Sequence, residues 1–367
     1  MSRLEELIAQ LCPDGVTYKC LSEILTIKNG KDYKEFSVGP FPVYGSGGII
    51  AYIDTFVYDK PSVLLPRKGS IEKLYYVDTP FWTVDTIFYT VINRDIVVEK
   101  YVFYALQVQH IEKLNTGGGV PSLTQSVLNK VMIPVPPLPI QEEIVRILDT
   151  FTELTAELTA ELTAELTKRK EQYQYYKDAL FSISDDIEYI PLKDLAINHD
   201  AKRRPIAKGK REAGIYPYYG ASGIVDYVKD YIFDGNYLLV SEDGANLLAR
   251  NTPIAFSITG KNWVNNHAHI LQFSDINLQK YVEFYINNTD LTKYISAAAQ
   301  PKLTQENLNN ILIPKPPLDR IKHIVSILDR FDTLCNDLTS GLPAEIEARQ
   351  KQYEYYRDKL LTFKEAV

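Results

Sequence analysis

The sequence predicts an α+β (mixed α/β) protein: two similar domains in pseudo-two-fold arrangement, separated by two long antiparallel helices. Three observations predict it. Residues 120–138 (VPSLTQSVLNKVMIPVPPL) and 300–318 (QPKLTQENLNNILIPKPPL) agree at eleven of 19 positions at a constant offset of 180, the signature of an internal duplication. Ahead of each copy, short β-branched and aromatic runs alternate with Gly turns, as in a strand-rich domain. Behind each copy, apolar residues recur every four positions, as on a helix.

Taken in order, an amphipathic N-terminal helix over about residues 2–11 precedes Tyr18 and Leu21, which match Tyr189 and Leu192 at an offset of 171. PVYGSGGI (42–49) then matches PYYGASGI (217–224) at an offset of 175, so the repeats differ by small changes in loop length. FVYDKPSVLLP, KLYYV and TIFYTVI read as strands of the first domain, and YLLVSE and TPIAFSI as strands of the second. Helical patterns follow around 98–114 and 278–296. Each domain closes on an extended IPVPP or IPKPP piece, after which proline is compatible with a helix start.

The first long helix is expected over about 139–182, on the order of 60 Å at 1.5 Å per residue. Three TAEL units (155–166) lie in its middle, and Leu154, Leu158, Leu162 and Leu166 form one apolar stripe beside a wet Glu face. Leu334, Leu338, Leu342 and Ile346 repeat the stripe at an offset of 180, although Gly341-Leu342-Pro343 should break or kink the second helix. The C-terminal helix followed by the N-terminal one mimics the central junction, a circular plan that brings the termini together. The expected divisions are 1–137 (first domain), 138–184 (central helix), 185–317 (second domain) and 318–367 (C-terminal helical region).

Bulk properties narrow the function. The chain of 367 residues is longer than one typical domain. It has no apolar run of membrane-spanning length and no signal-peptide layout, so a cytoplasmic location without membrane partners is expected. Cys12, Cys20 and Cys335 fit neither a zinc motif nor a disulfide framework. The net charge of −7 argues mildly against nucleic acid, yet Lys202 to Arg211 (KRRPIAKGKR) carries six basic residues and no acidic one. Two similar but unlike domains held apart by rigid helices suit a DNA duplex with two separated features. The halves diverge most over 31–116 and 206–299, so two unlike short sequences around an unread spacer are expected.

The YGSGGI/YGASGI loops, the duplicated LTQ-x-x-L-N-x-x-x-x-IP-x-PPL segments, the TAEL helix and the QYQYYKDAL/QYEYYRDKL helix ends resemble specificity subunits of type I restriction–modification systems over nearly the whole chain. The Gly loops are weak signals alone. Duplicated and in order, the set is specific. The resemblance implies two target-recognition domains, each reading half of a bipartite asymmetric double-stranded DNA site. It implies helices that dock two modification (methyltransferase) subunits binding S-adenosylmethionine, and ATP-dependent restriction subunits. Cofactors, with Mg, would then sit on those partners and none on this chain.

Candidate contacts in the first domain are Arg67, Lys68, Ser70 and Lys73 of LLPRKGSIEKL, since Arg and Lys pair with guanine edges or phosphates. An ordinary solvated charge cluster is the competing reading. Lys31 and Lys34 are candidate phosphate contacts, and Gly117-Gly118-Gly119 would let backbone approach DNA closely or merely form a turn. In the second domain the candidates are Lys202, Arg203, Arg204, Lys208, Lys210 and Arg211, against a plain solvated surface. SEDGANLLAR (241–250) aligns with the PRKGSIEKL region, which nominates Asp243, Asn246 and Arg250; structural capping by Asp243 and Asn246 competes. Asn265 and Asn266 of VNNHAHIL are candidates for base edges. His267 and His269 have no Cys or carboxylate partner evident in the sequence, so no metal is expected; packing or base-edge hydrogen bonding is the reading for them. The Tyr clusters at 173, 175, 176 and 353, 355, 356 read as apolar helix seams more than as stacking platforms.

No phosphate loop, S-adenosylmethionine signature, PP-aromatic methyltransferase tetrapeptide or nuclease carboxylate cluster is evident, so no catalytic residue is assigned. Two rivals remain: a non-catalytic protein-interaction scaffold with two binding domains on a coiled-coil spacer, and a self-sufficient methyltransferase.

Overall fold

A computed structural model describes residues 2–182, 187–296 and 300–366. The chain forms two compact units, Met1–Glu161 with Ile346–Val367, and Leu162–Glu345. The division falls inside the TAEL region, and the C-terminal piece joins the first unit. A linear cut at 137, 184 and 317 therefore regroups, because each unit takes one portion of the 44-residue helix Leu138–Phe181.

In the first unit, helix Arg3–Leu11 starts at a capping box, with Ser2 Oγ accepting from the Glu5 amide and the Glu5 carboxylate from the Ser2 amide. A four-stranded antiparallel sheet follows the order Leu25–Asn29, Ile87–Ile92, Ser62–Pro66, Tyr75–Val77. A three-stranded sheet places Phe41–Gly45 between Gly48–Ile53 and, in parallel, Trp82–Thr83. Helix Glu99–Val108 packs behind them, burying Tyr101, Val102 and Leu106 with Ile140, Ile144 and Leu148 of the long helix.

Both chain ends enter this core through Leu4 and Leu361. The Val16 amide donates to Lys364 O at 2.8 Å, the Ala366 amide to Val16 O at 3.1 Å, and the Tyr18 hydroxyl to Phe363 O at 3.0 Å. The circular plan is thus met by backbone pairing. The C-terminal helix contacts the long helix through Phe151 and Tyr356, with ring centroids 6.1 Å apart, and through Thr152 and Tyr353 at 3.0 Å.

The second unit carries one six-stranded sheet in the order Ala196–Asn198, Ala268–Phe273, Phe233–Ser241, Ala255–Val264, Ala213–Gly220, Gly223–Val228. Its single parallel pair joins Ala213–Gly220 to Ala255–Val264, the same pairing that Trp82–Thr83 makes in the first unit. The ten-residue strand Ala255–Val264 spans what the first unit splits into Tyr75–Val77 and Trp82–Thr83. Pro80 lies in that gap. Without an N–H it cannot sustain a continuous ladder, so the first sheet divides there.

Helix Ile276–Asn288, capped by the Asp275 carboxylate, packs on helix Leu318–Asn336. Tyr173 of the long helix is buried and stacks on Phe331 with centroids 5.8 Å apart. Tyr176 packs on Phe331 as well, whereas Tyr175 and Tyr355 face solvent. The Tyr clusters thus divide by helical face into seam and surface.

The expected break in the second long helix starts earlier than Gly341. Helix Leu318–Asn336 stops before Asp337, and a new helix runs Leu342–Leu360. The Asp337 carboxylate accepts from the Thr339 amide and hydroxyl and from the Ser340 hydroxyl, which hold it down to about 2. Pro343 then falls in the first turn, where its missing N–H costs nothing. Leu338, read above as part of the stripe, is 72% exposed within this break.

Candidate nucleic-acid interface

The two units build one loop frame from different side chains. In the first unit the loop after strand Ser62–Pro66 is held from two sides. The Arg67 amide donates to Thr86 O at 2.9 Å, the Gly69 amide to Pro121 O at 3.0 Å, and the Leu123 amide to Arg67 O at 2.9 Å. Lys68 and Ser122 form an isolated β-bridge. In the second unit the Glu242 amide donates to His267 O at 2.9 Å, the Gly244 amide to Pro301 O at 3.2 Å, and the Leu303 amide to Glu242 O at 2.8 Å, with Asp243 and Lys302 in the bridge. Gly69 and Gly244 turn these loops at φ 86° and 110°, values L side chains rarely adopt.

The Gly-rich hairpin tips lie beside these loops. The Ser46 amide donates to Thr86 Oγ1 at 3.2 Å, and the Ser241 hydroxyl to Ala221 O at 2.6 Å. A further correspondence is carried by the chain's two tryptophans. Trp82 Nε1 donates to Lys31 O at 2.9 Å, and Trp263 Nε1 donates to Arg204 O at 2.5 Å. Each indole pins the segment that leads into the hairpin. Their offset of 181 was a usable sequence signal for aligning Thr86 with His267, a pair that sequence reasoning missed together with Ser122 and Lys302.

Of the first-unit candidates, Lys31, Lys34, Lys68 and Lys73 are exposed and Ser70 is half-buried. Arg67 turns back on the fold, donating to Asp85 O at 3.1 Å and lying 5.9 Å over the Phe88 ring. Gly117 has no room for a Cβ, which would lie 2.1 Å from Val120 O, whereas Gly118 and Gly119 face open space. The Asn115 side chain accepts from the Gly117 and Ser122 amides, each at 2.9 Å, so this stretch is a built turn.

The basic stretch of the second unit divides. Lys202, Arg204, Lys208 and Lys210 are exposed. Arg203, only 13% exposed, is structural: it binds Glu242 at 2.6 Å, Ala268 O at 2.7 Å and Asp200 at 3.3 Å. Arg211 is also committed to the fold, 3.1 Å from Asp226 and 4.5 Å over the Tyr218 ring. Asn246 staples its own loop to Thr252 through both amide atoms. Arg250, whose guanidinium burial holds below its ordinary value, donates to Ile286 O and Thr289 O and caps the helix Ile276–Asn288. Asn265 is buried and its Oδ1 accepts the His267 amide in a tight turn, while Asn266 is exposed at the tip. Asp243 is 18% exposed and meets His267 Nδ1 with both oxygens at 3.0 Å.

The fold also supplies the carboxylate partners that the sequence did not reveal for the histidines. His269 Nδ1 is 2.6 Å from Asp200, and Nε2 donates to Leu303 O at 2.8 Å. Ligand atoms of Asp200, Glu242 and His269 lie within 4.8 Å of one another. Arg203 and Lys302 already neutralise that cluster, Lys302 at 3.0 Å from Glu242. Burial works to raise both carboxyls, but His269, the Ile270 amide and Arg203 hold Asp200 below its ordinary value; Arg203, Lys302 and His269 do so for Glu242. The cluster is an ion-pair network behind the loop frame.

Comparison with known proteins finds the same duplication. The family model for the type I restriction modification DNA specificity domain matches twice, at residues 13–168 and 184–348. A putative type I restriction enzyme specificity subunit of Haemophilus influenzae is 30% identical, covering 95% of this chain and 96% of that one. The EcoR124I/EcoR124II specificity subunit of Escherichia coli is 33% identical over 72% of this chain and 70% of its own. Among solved structures, the type I restriction-modification S subunit from M. genitalium aligns with TM-score 0.53 at 18% identity, covering 94% of this chain and 96% of that one. A chain from a study of assembly and conformational transition of the type I R-M system aligns at TM-score 0.65 and 14% identity, covering 96% and 98%. The chain belongs to the type I restriction–modification specificity family.

Proposed function

We propose that this chain reads DNA sequence for a type I restriction–modification complex, each unit contacting half of a bipartite, asymmetric site. One observation carries the reading. A single backbone frame, fixed by the same hydrogen bonds and the same tryptophan clamp, occurs twice and presents Lys68 and Ser122 in one unit but Asp243 and Lys302 in the other. A constant frame with changed donors and acceptors suits two readers of different base edges. The exposed Lys31, Lys34, Lys202, Arg204, Lys208 and Lys210 supply phosphate contacts that position the readers.

The chain contributes recognition and no catalysis. Its long helices set the spacer and dock two methyltransferase subunits, which hold S-adenosylmethionine, along with restriction subunits that use ATP and Mg, in the cytoplasm. The test is reconstitution with modification subunits, followed by salt-dependent DNA binding and genome-wide mapping of methylated adenines. A bipartite methylated motif with an unread spacer supports the reading. Absent or salt-insensitive DNA binding would favour the protein-interaction scaffold instead.

A further inference from the structure

We propose that His267 is a base-reading residue of the second half-site and that Asp243 positions it, an inference that rests on the DNA-reading function above. The imidazole sits at the turn between strands Ala255–Val264 and Ala268–Phe273 and is 49% exposed, whereas its partner Asp243 is only 18% exposed. Both Asp243 oxygens lie 3.0 Å from Nδ1. A carboxylate only accepts, so Nδ1 carries the hydrogen. In the neutral ring, Nε2 is then an acceptor, and among the described residues it meets no partner.

An exposed nitrogen acceptor, fixed in tautomer and direction, matches an exocyclic amino group in the major groove, adenine N6 or cytosine N4. Its surroundings fit a reader. The His267 carbonyl accepts the Glu242 amide and thereby anchors the loop frame itself. Exposed Asn266 precedes it in the turn, and Lys302, bridged to Asp243, stands alongside. The corresponding residue of the first unit behaves differently. Thr86 also anchors its loop by the carbonyl, but its hydroxyl faces inward to the Ser46 amide, leaving Lys68 as the exposed group. The first frame therefore presents a lysine ammonium where the second presents the imidazole Nε2.

The experiment compares methylated motifs and DNA affinities of the reconstituted complex carrying the parent chain, His267→Ala, Asp243→Ala or His267→Gln. His267→Ala should relax one position of the second half-site, reducing discrimination there by about 10- to 100-fold, with the first half-site and spacer unchanged. Asp243→Ala should relax the same position by less. His267→Gln, whose amide oxygen still accepts, should retain part of the preference, and the base preferred by the parent separates adenine from cytosine. Unchanged selectivity in His267→Ala, or an equal loss of affinity for every sequence, overturns the proposal. A parent complex without any sequence-selective binding removes the DNA-reading function itself, a failure seen before any variant is compared.

Discussion

Lys100 Nζ lies 2.8 Å from the Asp149 carboxylate, and 180 residues later Lys280 meets Asp329 at 2.6 Å. Each pair ties the domain helix of a unit to the long helical element beside it. In the first unit Tyr104 adds a hydrogen bond to Asp149 at 2.6 Å; burial, and then that bond, push the phenol pKa upward. The duplication thus extends from sequence to the fastening of each reader on its helix.

Removing these pairs should have unequal effects. The ions are about one-third exposed, so Lys100→Ala or Lys280→Ala should cost less than about 1 kcal/mol. Asp149→Ala also takes away the short hydrogen bond of the buried Tyr104 hydroxyl, leaving it Thr152 Oγ1 at 3.4 Å, and should cost about 1–3 kcal/mol. Chemical denaturation of the chain, followed by circular dichroism, measures the difference.

Within the basic stretch, neighbours should behave oppositely. Lys208→Ala with Lys210→Ala should weaken DNA binding alike for all sequences and leave stability intact. The dependence on log salt should flatten by about 0.9 for each phosphate no longer neutralised. Arg203→Ala should instead destabilise the second unit by about 1–3 kcal/mol, since it removes charge-assisted hydrogen bonds to Glu242 and Ala268 O and an ion pair to Asp200, leaving His269 and Lys302 to hold the two carboxylates. Binding titrations at several salt concentrations, run beside thermal melts, separate the two outcomes.

Shortening the TAEL region tests the ruler. Deleting Thr155 to Leu158 removes four helical residues, about 6 Å or roughly two base-pair steps. The methylated motif should keep both half-sites and lose spacer length. A spacer of unchanged length would show that the helix does not set it.

Acid should loosen the second unit through its buried carboxylates. Asp200 and Glu242 sit below their ordinary values when folded, so the unfolded chain binds their protons more readily. Their contribution is fully present above the ordinary carboxyl range, about pH 4, and is lost as pH falls through the lowered folded values. Glu283, raised by burial, works in the opposite sense: its contribution is present below its ordinary value and lost as pH rises through the raised one. Melting curves from pH 3 to 7 should fall off at the acid end. The Asp200→Asn variant should show a shallower fall.

The candidate site was legible only in part. The sequence placed the loops correctly, because Gly69 and Gly244 mark turns that repeat at an offset of 175. It could not separate Lys208 from Arg203, since a run of basic residues carries no sign of which ones face buried carboxylates far along the chain. It offered packing or base-edge hydrogen bonding for His267 but could not supply its partner, because Asp243 is 24 residues away and becomes adjacent only when the Glu242 amide pairs with the His267 carbonyl.

What the sequence determined by itself was periodic and local: the duplication, the leucine-striped helices, the Gly turns and the meeting of the chain ends, all written in spacing. Tertiary structure alone decided which charges serve the fold and which remain outside. Burial makes an unpaired charge costly, so Arg203 and Arg211 are drawn to carboxylates brought near by strand pairing, and Arg250 to carbonyls at the end of the helix Ile276–Asn288. Lys68 and His267 stay exposed because the same loop frame, held by backbone bonds, leaves their outer atoms facing solvent.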